Sequence, residues 1–99
     1  MFDLSGLQDA ALVRRALAGQ PEMFGRLVEK HLPLVHAVAR GQLGLSSEVD
    51  DIAQEAFLPA YLSLNQLQEP QRFRFWLATI ARNRCHLHHK TGARRDQVH

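Results

Sequence analysis

Residues Arg72 to Arg84, "RFRFWLATIARNR", interleave two phenylalanines and a tryptophan with arginines and carry no acid. Guanidinium groups bind phosphate oxygens, an exposed ring stacks on a base, and a hydroxyl or side-chain amide reads a base edge, so single-stranded nucleic acid calls for this mixture. Projection of a helix at about 100° per residue sorts the stretch onto two faces. Phe73, Trp76, Leu77, Ile80, Ala81 and Leu87 fall on one side and are expected to be core. Phe75, Thr79, Arg82, His86, His89 and Lys90 fall on the other, with Arg74 and Asn83 at its borders. A solvated basic helix with one stray ring is the competing explanation of the same residues.

The preceding helical stretch has the opposite character. Projected in the same way, Val49, Ile52, Ala53, Ala56, Phe57 and Ala60 line a core side, whereas Asp51, Gln54, Glu55, Leu58 and Leu62 point outward. Leucines flanked by carboxylates and an amide suit docking of a basic helix; a charged outer face with scattered leucines would look the same. The charge distribution supports two surfaces. From Gly41 to Gln71 there is no Lys or Arg, only Glu48, Asp50, Asp51, Glu55 and Glu69. From Arg72 to Arg95 the charges are Arg72, Arg74, Arg82, Arg84, Lys90, Arg94 and Arg95, without an acid. One surface prefers cations and the other anions.

The elements that must position these residues are helical throughout, and the predicted fold is an all-α, compact bundle of about four helices. Ser5 with Gln8 has capping-box spacing and opens a helix over 6–18, with Leu7, Ala11, Leu12 and Leu17 as its apolar positions. Pro21 suits the start of a second helix, in which Phe24, Leu27, Val28, His31, Leu32, Val35 and Val38 keep a helical period to Gly41; Pro33 predicts a kink or a break. Ser47 and Asp50 have capping-box spacing before a third helix over 48–63, which Pro59 interrupts. A polar loop, "NQLQEPQR", leads to Pro70 and a fourth helix ending near Lys90. Residues 1–90 are thus expected to form one helical domain, and 91–99 a flexible basic tail or the start of an interdomain linker.

Composition excludes several function classes. At 99 residues, with 45% hydrophobic and 22% charged residues, the chain has globular composition and room for one modest core. No apolar run approaches the ~18–20 residues of a spanning helix and no secretory leader is evident, so a cytoplasmic location without membrane contact is expected. The lone Cys85 excludes an internal disulfide. "CHLHH" places Cys85 and His89 on one helix face, with His86, His88 and His31 as further nitrogen donors, but neighbouring histidines along a helix diverge and a tetrahedral site needs converging ligands. Asp50 and Asp51 likewise diverge, and no phosphate loop or nucleophile triad is present. The expectation is a protein that is not an enzyme and uses no metal or other cofactor.

"DDIAQEAFLPAYLSL", Asp50 to Leu64, followed by "FRFWLATIARNRC", Phe73 to Cys85, resembles the first conserved domain, region 2, of bacterial RNA polymerase sigma factors of the extracytoplasmic-function (ECF) group. "ALVRRALAGQPEMFGRLVEKHLPLVHAVA" upstream is similar to the opening helices of that family, so the resemblance runs from about Asp9 to Lys90. It implies a transcription initiation factor domain. Asp51, Gln54, Glu55 and Leu58 would dock on the clamp helices of core RNA polymerase. The loop and fourth helix would recognise and help melt the minus-ten promoter element by holding its single-stranded non-template strand.

In that scheme Arg72, Arg74, Phe75, Thr79, Arg82, Asn83, His86 and Lys90 would contact DNA. Asn83, with the loop residues Leu67, Gln68, Glu69 and Gln71, would form a pocket for an unstacked base. An anti-sigma factor is a further partner that the family admits. Leu67, Glu69, Pro70 and Pro59 depart from the commoner family residues, and the second domain that family members carry is not in this sequence, which therefore resembles a fragment. A helical protein-interaction adaptor without sequence-selective DNA binding is the alternative.

Overall fold

A computed structural model describes residues 3–98, with side chains described for residues 3–88. Helices α1 (Leu4–Leu17), α2 (Glu22–Leu43), α3 (Val49–Leu62) and α4 (Phe73–Val98) form an all-α bundle, with no strand among the described residues. Two 3₁₀ turns, Leu64–Gln66 and Pro70–Arg72, shape the connection from α3 to α4.

Helix α1 begins before the expected position. Asp3 is its cap, accepting a 3.0 Å hydrogen bond from the Gly6 N–H, so Ser5 lies inside the helix and the Ser5–Gln8 box is not the cap. Its inward face differs too: Gly6, Asp9, Ala10 and Val13 are buried, while Leu7 and Leu17 are exposed. The small residues let α1 approach the Pro70–Arg72 turn, and α1 packs against that turn and α2.

Helix α2 runs unbroken through Pro33, whose exposed ring faces away from the core, and passes Gly41 to end at Leu43. Gly44 closes it with φ of 68°, a backbone region glycine enters at little cost, and donates its N–H to the Arg40 carbonyl at 2.8 Å. Before α3, Ser46 Oγ accepts from the Glu48 N–H at 3.1 Å, and no side chain caps the helix in the manner expected of Ser47 and Asp50. Pro59 sits within a continuous α3; the Ser63 hydroxyl and N–H both donate to its carbonyl.

The core forms where α2, α3 and α4 meet. Val49, Ile52, Ala53, Ala56, Phe57 and Ala60 of α3 are all buried, as their period predicts. They pack with Phe24, Leu27, Val35 and Ala39 of α2 and with Phe73, Leu77, Ala81 and Cys85 of α4. Rings connect the layers: Phe24 meets Tyr61 and Phe73 edge-on at 5.1 and 6.4 Å, and Phe73 meets His31 and Trp76 at 5.2 and 5.9 Å. Such pairs stabilise by about 0.5–1.5 kcal/mol beyond the area they bury.

The α4 stripe needs one correction. Leu87, expected in the core, is 52% exposed, and Cys85 takes the buried position. Successive buried positions are Phe73, Leu77, Ala81 and Cys85, a strict four-residue spacing, so the inward stripe rotates away from Leu87. Backbone helicity continues to Val98, past the end expected near Lys90.

The core also holds a charged cluster. Asp9 is fully buried and accepts from Lys30 Nζ at 2.7 Å, and its second oxygen lies 2.9 Å from His31 Nε2. A carboxylate without partners at this depth would be strongly unfavourable; here both oxygens are engaged and no buried side-chain polar atom among the described residues lacks a partner. His31, which could have been a metal ligand, is committed to this ring of contacts.

Candidate nucleic-acid interface

The start of α4 and the loop before it form one continuous surface. Pro70 fixes the first position of the 3₁₀ turn, whose end runs directly into Phe73; burial of Phe73 anchors the helix and turns Arg72, Arg74 and Phe75 outward. Phe75 is 48% exposed, and the Arg72 and Arg74 guanidinium carbons lie 5.0 and 4.7 Å from its ring centroid. These cation–π contacts hold two positive charges beside an open ring. Arg72 also lies 3.8 Å from the Glu69 carboxylate, three residues back.

One turn further, the Thr79 hydroxyl donates to the Phe75 carbonyl at 3.1 Å and accepts from Arg82 Nη2 at 3.3 Å. Arg82, Asn83 and His86 are exposed beyond it. The face projected from the sequence therefore exists from Arg72 to His86; the Lys90 and His89 side chains lie outside the described residues.

Between loop and helix is an open cleft of about 370 Å³, walled on one side by Gln66, Leu67, Gln68 and Glu69 and on the other by Arg72, Phe75, Trp76 and Thr79. It brings Leu67, Gln68 and Glu69 together with Arg72, Phe75 and Thr79. It does not include Asn83, which lines a separate depression with Pro59, Ile80, Arg84 and Leu87. Gln71, on the exposed side of the turn, is also outside the cleft lining. Trp76, which the sequence assigns to the core, is half-buried and presents part of its ring to the cleft. The signal for this double role was its place at the edge of the α4 stripe rather than its centre.

The acidic face lies on α3. Asp51, Gln54, Glu55 and Leu58 are exposed together, with Leu58 at 62% and its neighbour Leu62 at 69%. One cation and two histidines of the same chain border it: Arg84 Nε lies 3.2 Å from Glu55 Oε2, His88 contacts Glu48, and His36 Nδ1 lies 3.3 Å from Asp50 Oδ1. Arg84 and His88 belong to the side of α4 turned toward α3, whereas Arg72, Arg74 and Arg82 point elsewhere. Among the described residues the two oppositely charged ridges remain open to solvent and meet along the α3–α4 groove, where Glu55 of the expected docking strip pairs with Arg84, a residue expected in neither site.

Cys85 is buried, and removal from water pushes its thiol up from its ordinary value. No cluster of His, Cys, Asp and Glu among the described residues is arranged to hold a metal ion. Among the described residues no helix is long and apolar enough to cross a membrane.

The Sigma-70 region 2 family model matches residues 27–95. Over 76 residues the chain is 38% identical to the RNA polymerase sigma factor NccH of Alcaligenes xylosoxydans xylosoxydans, which covers 77% of this chain and 41% of that protein. It is 34% identical over 88 residues to the ECF RNA polymerase sigma factor BldN of Streptomyces coelicolor, covering 88% of this chain and 33% of the relative. It is 30% identical over 71 residues to the ECF RNA polymerase sigma factor SigW of Bacillus subtilis, covering 72% and 38%. The chain therefore spans well under half the length of these relatives. No solved structure matches it.

Proposed function

The chain belongs to the sigma-70 region 2 family, of the ECF type, and on that premise we propose that it docks on the clamp helices of core RNA polymerase through α3 and holds the melted non-template strand of the minus-ten element on α4. The observation that carries this reading is the segregation of charge. Asp51, Gln54, Glu55 and Leu58 form an exposed acidic and apolar strip on α3, while Arg72, Arg74, Phe75 and Arg82 form an exposed cationic strip with an open ring on α4.

Each strip suits its partner physically. Arginines replace the counterions of a phosphate backbone, and Phe75 with Trp76 offers stacking surface to bases that have left the duplex. Unstacking a base costs a few kcal/mol, which contacts to the freed strand must return. The cleft beside Leu67, Gln68 and Glu69 is where such a base would lodge; Asn83, Thr79 and His86 would contact the strand further along α4, and Gln71 would stand beside the cleft. No covalent step is involved, the chain is not an enzyme, and a cytoplasmic location follows from the partners.

Binding of a single-stranded minus-ten non-template oligonucleotide tests the reading. It should weaken steeply as salt rises, and Arg82→Ala should lower the salt slope by about one counterion. Salt-insensitive binding, or equal affinity for duplex and single strand, would favour a helical adaptor for an acidic protein instead.

A further inference from the structure

Arg84 is a cation of α4 that belongs to neither strip. Its Nε lies 3.2 Å from Glu55 Oε2, with 38% of the arginine side chain and 48% of the glutamate side chain open to water. Two depressions meet at this residue: one has Glu48, Asp51 and Glu55 on its wall, the other Pro59, Ile80 and Asn83, and Arg84 lines both. A long, flexible side chain at such a boundary has two places to put its charge. Asn83 stands exposed at the border of the strand-holding face, one turn beyond Thr79. Glu55 belongs to the docking strip, so a partner cation that engages it competes with Arg84 for one carboxylate. A pair this open to water is weak and is readily displaced. The other acids of the depression offer the released arginine little: Asp51 lies on the same docking strip, and Glu48 is in contact with His88.

We infer that Arg84 is a shared cation: the free chain holds it on Glu55, and docking releases it toward Asn83, where it adds a phosphate contact to the strand on α4. The inference rests on the two-partner reading and adds to it a physical link between the partners. Coupling between two binding events is reciprocal, so the strand strengthens docking by the same factor by which docking strengthens the strand.

Substitution can stand in for docking. Asp51→Asn with Glu55→Gln removes both carboxylates of the strip while keeping the shape of two exposed side chains, and binding of a fluorescein-labelled oligothymidylate to the full chain is followed by anisotropy across a salt series. The two amides should tighten binding about two- to fivefold, the contribution of one exposed ion pair, and steepen the salt slope by about 0.7, the counterion share of one single-strand phosphate. In an Arg84→Gln background, where glutamine keeps most of the arginine stem, the same two amides should produce neither gain. An equal gain in both backgrounds overturns the inference, because the acids would then act only by general repulsion of phosphate; so does the absence of any gain with Arg84 in place. Either result leaves the strand-holding reading intact. Absence of salt-dependent binding by the unaltered chain overturns both.

Discussion

The α-carbon of Gly6 in α1 lies so close to the Gln71 carbonyl oxygen that a Cβ there would stand 2.8 Å from it, and would also meet the Asp3 cap. A helix outside residues 27–95 thereby buttresses the turn that carries the cleft. Gly6→Ala should destabilise the fold by about 1–3 kcal/mol, the usual cost of forcing a group into filled space. The loss should show as a lowered melting temperature together with a shift in Trp76 emission, because the displaced turn forms one wall beside that ring. An unchanged melting temperature would mean that α1 retreats without loss.

Asp9 is the second structural lock. Asp9→Ala should cost about 3 kcal/mol, since it leaves His31 buried without its partner and frees Lys30 from a charged hydrogen bond. Asp9→Asn keeps one acceptor and should cost less. Urea denaturation of the two variants checks the order; equal and small losses would show that solvent reaches the cluster.

These two relationships also mark the limit of what the sequence discloses. The α3 faces were legible because Val49, Ile52, Ala53, Ala56, Phe57 and Ala60 keep one clean apolar period, and the exposed cationic side of α4 followed from the same geometry. In α1 the period misled: the inward side is built from Gly6, Asp9, Ala10 and Val13, and Leu7 and Leu17 face water. A buried aspartate looks like a surface residue until its partners, 21 and 22 residues away, are brought to it. Asn83 was expected beside the loop, but the cleft closes around Trp76 and Thr79, one turn nearer the start of α4. Leu87 was lost from the core because the stripe follows Leu77, Ala81 and Cys85.

Cys85 gives a pH-dependent readout. Burial disfavours its thiolate, so its folded value lies above that of the unfolded chain. At pH 8 the native thiol should react with a maleimide far more slowly than the thiol in guanidinium, and the native rate should climb as pH rises further. The sign for stability follows: the raised folded value makes ionisation of this thiol favour unfolding, so its contribution is complete below the unfolded pKa and declines above it. Equal labelling rates with and without denaturant would contradict the burial.

The ion pair of Arg84 with Glu55 spans α3 and α4 but both side chains are partly solvated. Asp51→Ala combined with Glu55→Ala should therefore change stability by no more than about 1 kcal/mol. A larger loss in thermal or urea unfolding would make those carboxylates structural rather than a docking strip.

The claim that two ridges serve two partners is tested most directly by crossing their variants in one pair of assays, capture of core RNA polymerase and salt-dependent binding of the non-template strand. Asp51→Ala with Glu55→Ala should abolish capture and spare strand binding, while Arg72→Ala with Arg82→Ala should weaken strand binding and spare capture. Loss of both activities in both variants, with folding intact, would contradict the account.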